Sequence, residues 1–260
     1  MQLIAEVYDI FKTVGGMTNE EMADIFDEWN KSELESYLIE ITAKILRKKD
    51  VETGEGYVLD YILDKTGMKG TGKWTVQEGA EKGVPIPTIA AALDARMLSG
   101  RKEEREAASS ILDSPIIEKM DRQQLIDDVR AALYASKICS YAQGLSLIKA
   151  ASDEHTWNVD LSECARLWTG GCIIRAQLLG DIQKAFSADK EPVNLLVDKN
   201  FAGLLNERVP AWRRVVASCI SNGIACPALS SSITYFDSYR RARLPASLTQ
   251  AQRDFFGAHT

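Results

Sequence analysis

Two stretches decide the fold: Ala5-Glu6-Val7-Tyr8-Asp9-Ile10-Phe11-Lys12-Thr13 and, 137 positions later, Ala142-Gln143-Gly144-Leu145-Ser146-Leu147-Ile148-Lys149-Ala150. Both place apolar residues three and four apart, the spacing of one helix face, and both follow an Ala-x4-apolar-apolar-Lys frame. Three further matches follow in the same order. Glu21-x-Ala23-x-Ile25-Phe26 returns as Glu163-x-Ala165-x-Leu167-Trp168, and Thr18, which forms a capping-box spacing with Glu21, is answered by Asp160. Leu38, Ile41 and Ile45 fall on Leu179, Ile182 and Phe186, and Gly83-Val84-x-x-Pro87-x-Ile89 falls on Gly223-Ile224-x-x-Pro227-x-Leu229. Offsets of 137, 142, 141 and 140 in one order predict a duplicated helical unit whose copies bury their faces on each other. The expected class is all-α, a tandem duplicated multi-helix unit. The reading is one domain over residues 1–260, with internal repeats of approximately 1–120 and 121–260.

Working outward, the first apolar face (Leu3, Ile4, Val7, Ile10, Phe11, Val14) ends at Gly15-Gly16. It begins without a capping residue, which reads as a start inside an element. A helix through Leu34, Leu38, Ile41 and Ile45 runs to the basic end Arg47-Lys48-Lys49, followed by a polar loop over 50–56. After a second loop at 67–75, helices are expected over 76–82 and 85–110, the latter with prolines near its start. A long helix over about 123–151 carries small residues (Ala131, Ala132, Ala135, Ser136, Ala142, Gly144) that permit close packing. Strand signals are scarce. No Gly-x-Gly-x-x-Gly follows a strand, so no Rossmann domain and no dinucleotide site are expected.

Of 260 residues, 45% are hydrophobic and 26% charged, the profile of a soluble globular chain. A balance of 31 basic against 37 acidic residues argues against nucleic acid and membrane surfaces as partners. No run approaches the roughly 20 apolar residues of a membrane helix, and the first residues lack the basic start of a signal peptide. Five cysteines without a close pair read as reduced thiols in a cytoplasmic protein. With only His155 and His259, neither a zinc site nor a Ser-His-Asp, Cys-His or HExxH centre can be assembled from pattern. No metal or catalytic residue is assigned.

The unusual local sequence is Ile62-Leu63-Asp64-Lys65-Thr66-Gly67-Met68-Lys69-Gly70-Thr71-Gly72-Lys73-Trp74. Glycines let backbone approach a ligand closely, and lysine and threonine add charge-assisted donors to an anion. The spacing is not a Walker loop. Phosphate or carboxylate binding stands beside a plain basic turn. Arg96 follows an apolar face (Ile89, Ala92, Leu93) and reads most simply as a snorkelling arginine. Glu103-Glu104-Arg105-Glu106 reads as a solvated face, and Trp74 and Trp168 as core. A second basic cluster, Tyr239-Arg240-Arg241-Ala242-Arg243 with Arg253 and His259, offers guanidinium forks suited to phosphate.

At these residues the chain resembles a known family. Ile62-x-Asp64 with Lys69-Gly70-Thr71-Gly72-Lys73-Trp74 is similar to the signature of the decarboxylating, NADP-dependent 6-phosphogluconate dehydrogenases. So are Trp29-Asn30-Lys31-x-x-Leu34-x-Ser36-Tyr37-Leu38-Ile39-Glu40-Ile41-Thr42, Ala132-Leu133-Tyr134-Ala135-Ser136-Lys137, Gly170-Gly171-Cys172-Ile173-Ile174-Arg175-Ala176 and Tyr235-Phe236-Asp237-Ser238-Tyr239-Arg240. The likeness spans Met1 to Thr260. Met68 departs from it, standing where the family usually has a polar amide. The resemblance implies the helical half of such an enzyme, which holds 6-phosphogluconate against a nicotinamide bound by a separate domain. By motif, Lys69, Thr71 and Arg96 are expected at the phosphate, and Arg253 and His259 in the neighbouring subunit's site of a homodimer. NADP is expected only in the full-length enzyme, with none on this chain, and the family's lysine base and glutamate acid precede the position of Met1. The alternative is a non-catalytic helical module that pairs with a full-length enzyme. A related β-hydroxyacid dehydrogenase is disfavoured by the duplicated unit.

Overall fold

A computed structural model describes residues 1–67, 69–188 and 191–257; Met68 and His259 lie outside these. The described residues form thirteen α-helices, a short 3-10 turn (Leu195–Val197) and no strand. In order, the helices are α1 (Gln2–Thr13), α2 (Asn19–Trp29), α3 (Tyr37–Leu46), α4 (Val58–Tyr61), α5 (Thr71–Glu81), α6 (Pro87–Ser99) and α7 (Lys102–Ser109). After these come α8 (Arg122–His155), α9 (Leu161–Leu167), α10 (Leu178–Phe186), α11 (Lys199–Ser221), α12 (Pro227–Tyr239) and α13 (Ala246–Gly257).

The local signals for helix starts hold. Thr18 Oγ1 accepts the Glu21 N–H at 3.3 Å while the Glu21 carboxylate accepts the Thr18 N–H at 2.8 Å, so α2 opens on a reciprocal capping box. Asp160 accepts the Glu163 N–H at 3.0 Å and opens α9 in the corresponding place. Pro87 and Pro227 stand in the first turns of α6 and α12, where a missing N–H costs nothing. The face expected on α1 is buried at Val7, Ile10, Phe11 and Val14, and Phe11, Phe26 and Trp29 pack with ring centroids 5.4–6.5 Å apart.

The 34-residue α8 is central, packed against α1, α6, α11 and α12. Around it, residues 140 positions apart meet or share a conformation. Ser36 and Ala176 form an isolated antiparallel bridge, with Tyr37 N–H donating to Arg175 O at 3.0 Å and Gln177 N–H to Glu35 O at 3.1 Å. The residues that open α6 and α12, Ile86 (φ −127, ψ 51) and Cys226 (φ −128, ψ 54), share one backbone conformation 140 positions apart.

Buried side chains then cap across the pair. The Glu6 carboxylate of α1 accepts the N–H groups of Ala228 and Leu229 at 2.8 and 2.9 Å, at the start of α12. Gln143 of α8 accepts the Thr88 N–H at 3.0 Å, at the start of α6. Burial pushes the Glu6 carboxyl up, against the pull of its two backbone donors.

Four expectations need correction. In α3 the buried stripe is Ile39, Ala43 and Leu46, while Ile45 is 44% exposed. The helix is apolar almost throughout, so two stripes were available and packing chose the other. The loop expected at 67–75 ends at Gly70, because Thr71 and Gly72 belong to the first turn of α5. The helix expected over 85–110 breaks at Gly100-Arg101 into α6 and α7, where glycine is a poor helix former. Trp74 is 62% exposed, not core, whereas Trp168 does pack on the core.

Candidate functional site

The glycine-rich sequence builds a bare helix N-terminus. Gly70 precedes α5 at φ +105, ψ −38, a conformation that L side chains rarely adopt, and offers no side-chain cap. The Trp74 N–H donates to Gly70 O at 2.9 Å. The N–H groups of Thr71, Gly72 and Lys73 therefore have no intrahelical acceptor, and none accepts from them among the described residues. Such a turn presents free donors and the positive end of the helix dipole, the standard setting for an anion. The Trp74 ring covers Gly70 so closely that an added Cβ would lie 3.3 Å from it.

Two contacts fix this turn against α6. A Cβ at Gly72 would meet Leu93 Cδ1 at 3.5 Å, and the Thr66 N–H donates to Ser99 Oγ at 3.0 Å. Arg96 lies between Leu93 and Ser99, three residues from each, hence on the same helix face. Thr71 adjoins Gly72, and Arg96 shares the α6 face of Leu93 and Ser99; Lys69 and Thr71 are exposed and Arg96 is half-buried. Among the described residues neither Lys69 nor Arg96 has a hydrogen bond or ion pair.

Asp64 anchors the loop from below. Its carboxylate meets Lys102 Nζ at 2.7 Å and an Arg105 guanidinium nitrogen at 3.0 Å, and Arg105 also donates to the carbonyls of Asp64 (3.2 Å) and Ser99 (3.1 Å). Lys102, then Arg105, hold the Asp64 carboxyl below its usual range. Sequence reasoning missed this role and took 103–106 as a solvated face. Lys102 and Arg101 do pair with Glu106 and Glu104 as that reading expects, but Arg105 turns inward to the loop. The available signal was one acid among Lys65, Lys69 and Lys73.

The second basic cluster separates into parts. Arg240 pairs with Asp237 at 2.9 Å, and Asp237 in turn takes Arg213 at 2.6 and 2.8 Å. Arg253 sits on α13, a helix with no buried residue, and makes no hydrogen bond or ion pair among the described residues. No described bond ties it to the Lys69 corner of its own chain. His259, its expected companion, lies outside the described residues.

This arrangement can be set beside known proteins. The family model described as 6-phosphogluconate dehydrogenase, C-terminal domain, matches residues 1–260. The chain belongs to that family. It is 58% identical to "6-phosphogluconate dehydrogenase, decarboxylating 2" of Arabidopsis thaliana over 266 residues, covering all of this chain and 54% of that protein. It is 57% identical to a chloroplastic decarboxylating 2 form of Spinacia oleracea, with all of this chain and 50% of that protein covered. Among solved structures, Plasmodium falciparum 6-phosphogluconate dehydrogenase, described in apo form and in complexes with its cofactor NADP+ and its substrate 6-phosphogluconate, matches with a TM-score of 0.97 at 44% identity. That match covers all of this chain and 56% of the other. The chain thus spans about half the length of the relatives it matches. The names do not single out one compartment. Among the described residues no helix is long and apolar enough to cross a membrane, and no three His, Cys, Asp or Glu side chains gather to hold a metal.

Proposed function

We propose that this chain is the substrate-holding helical half of an NADP-dependent 6-phosphogluconate dehydrogenase, which oxidises C3 of 6-phosphogluconate and releases CO2 to leave ribulose 5-phosphate. The observation that carries the reading is the start of α5 with Lys69 and Arg96 beside it, two cations that have no partner among the described residues. A phosphate near −2 takes free amides, a hydroxyl such as Thr71, an ammonium and a guanidinium fork in this combination. Gripping the end remote from C3 fixes the sugar acid for hydride transfer, so binding energy there contributes to positioning. NADP belongs in this reading to the other half of the enzyme. In support, the described residues contain no strand and so no strand–loop–helix unit of the kind that cradles a dinucleotide pyrophosphate.

The site is completed by a second protomer, whose α13 delivers Arg253, with His259 beyond it, to the corner formed by Lys69, Thr71 and Arg96. The exposure of Phe255 (94%) and Phe256 (73%) on that helix supports a partner surface. Five free thiols support a reducing compartment such as the cytoplasm.

Calorimetry on the purified chain tests the reading. 6-Phosphogluconate should bind and gluconate should not, and Lys69→Ala or Arg96→Ala should each weaken 6-phosphogluconate by about tenfold or more, the scale of a lost charged hydrogen bond. Equal affinity for gluconate would overturn it.

A further inference from the structure

The turn joining α11 to α12 repeats, 140 positions on, the turn joining α5 to α6. The Ile224 N–H donates to Cys219 O at 2.8 Å as the Val84 N–H does to Gly79 O, also at 2.8 Å. Cys226 in turn has the backbone conformation of Ile86. In the first copy these two positions touch: a Cβ at Gly79 would lie 2.6 Å from Ile86 Cδ1 and 2.8 Å from its Cγ1. In the second copy the same positions are Cys219 and Cys226. An S–S bond of about 2.05 Å sets each β-carbon about 3 Å from the partner's sulfur. The shared backbone therefore holds these two cysteines at disulfide range. Both thiols are free and buried, and they hydrogen-bond to each other. The turn between them is held in place: a Cβ at Gly223 would lie 2.6 Å from Pro115 Cγ, and Asn222 Oδ1 accepts the Glu118 N–H at 2.6 Å. Gly223 and Ala225 are exposed, so Cys226 lies just below the surface. Of the pair, Cys226 is the better nucleophile. It opens α12, where the helix dipole favours a thiolate. The Cys219 thiol donates to it and holds it below the usual thiol range, against burial and the Glu6 carboxylate at the same helix start.

We propose that Cys219 and Cys226 form an oxidation site, closed to a reversible disulfide by hydrogen peroxide. The Cys226 sulfur attacks one peroxide oxygen, the O–O bond breaks, and the other oxygen leaves as water with the Cys226 proton. The Cys219 sulfur then attacks the sulfenic acid formed at Cys226. Its S–O bond breaks, and a second water leaves with the Cys219 proton. The two thiols lose two electrons and the peroxide gains them. The bond ties the last turn of α11 to the start of α12, and an added dithiol reopens it by exchange. The proposal does not rest on the phosphate site at Lys69 and Arg96.

Peptide mass after alkylation tests it on the folded whole chain. Trypsin cleaves after Arg214 and Arg240, so both thiols fall in one peptide, 215–240, apart from Cys139, Cys164 and Cys172. The chain is treated with hydrogen peroxide, cleared with catalase, then unfolded and alkylated with N-ethylmaleimide. Most of that peptide should emerge unalkylated and about 2 Da lighter than its dithiol form, and dithiothreitol should restore two alkylated cysteines. Cys219→Ala removes the second thiol, so dimedone should then trap the sulfenic acid at Cys226. Cys226→Ala should leave Cys219 about tenfold or more less labelled. The wild-type peptide decides even where a variant fails to fold. The proposal is overturned if that peptide stays doubly alkylated, carries a sulfinic acid in place of the bond, or shares its disulfide with another cysteine. Equal dimedone labelling of the two variants would overturn the order of the steps.

Discussion

Ser36 and Ala176, 140 positions apart, face each other across an antiparallel bridge in which each flank donates to the other. The backbone pattern of an antiparallel bridge is itself two-fold, and this one ties the N-cap of α3 to the residue before the N-cap of α10. The same offset relates the ends of α5 and α11: Gly83 N–H donates to Ala80 O at 3.3 Å and Gly223 N–H to Ile220 O at 3.2 Å. It fails upstream. The position 140 after Gly70 is Pro210, well inside the 23-residue α11, whereas α5 starts only at Thr71. The first half opens into a glycine loop where the second runs on as helix, and that departure from symmetry exposes the donors of the candidate site.

Gly70→Ala should therefore damage binding. A side chain at φ +105 costs about 1–2 kcal/mol, and its Cβ would press on the Trp74 ring. Gly83→Ala, at φ +63 with no atom within 4 Å of the added Cβ, carries a similar backbone cost at the far end of α5. Both variants should lower the melting temperature by similar amounts. Only Gly70→Ala should weaken 6-phosphogluconate, by about tenfold. Parallel losses of affinity would show that the start of α5 is not the binding element.

Asp64→Asn should loosen the loop without unfolding the protein. The carboxylate and both its cations are at least partly exposed, so the stability change should stay under about 1 kcal/mol. The affinity loss should be about three- to tenfold, since Lys69 and Thr71 would no longer be held near Arg96. A variant that binds 6-phosphogluconate as the wild type does would make the Asp64 anchor irrelevant to the site.

The periodicity of residues 5–13 and 142–150 sufficed for the helical class, because a buried face at 3.6-residue spacing is written directly in residue type. The α2 capping box was legible for the same reason: both partners lie within three residues. Which stripe of α3 goes inside was not legible, because Leu38, Ile39, Ile41 and Ile45 are near-equivalent and only packing against other elements distinguishes them. The site was legible as a composition, three glycines among lysines, but not as a shape. Its anchor joins Asp64 to Lys102 and Arg105, 38 and 41 positions away, and no local pattern specifies that pairing.

Removing the buried amide of Gln143 tests how the two halves are joined. Gln143 accepts the Thr88 N–H and donates to Thr88 Oγ1 at 2.9 Å, and Thr88 Oγ1 lies 2.8 Å from Ser232 Oγ on α12. Gln143→Leu leaves the start of α6 without an acceptor and should cost about 2–3 kcal/mol. Urea unfolding should show a lower midpoint with unchanged slope. An unshifted midpoint would mean that this network contributes nothing net.

Acid should weaken the α11–α12 contact. Arg213 chiefly, with Arg240, holds the Asp237 carboxyl below the ordinary value of 3.8. A carboxyl whose pKa is depressed by folding contributes stability that is complete above its unfolded value and is lost as pH falls through the folded one. The difference in urea midpoint between wild type and Asp237→Asn should be constant from about pH 8 to 5 and shrink below about pH 4. A difference that persists unchanged to pH 3 would assign the effect of the variant to something other than this charge.

Removing residues 246–260 should separate folding from assembly. Every described residue of α13 is exposed, so within its own chain the helix adds little burial, and its loss should leave circular dichroism and the monomer's packing nearly unaltered. Phe255, Phe256 and Leu248 nonetheless present apolar surface that a second protomer would cover. Sedimentation equilibrium should find the whole chain dimeric and the shortened chain shifted towards monomer. Affinity for 6-phosphogluconate should fall as well, since Arg253 leaves with the helix and α13 is proposed to act across the interface. Arg253→Ala in the whole chain isolates the second effect: it should weaken ligand while the dimer persists. A shortened chain that still sediments as a dimer and binds normally would remove α13 from both roles.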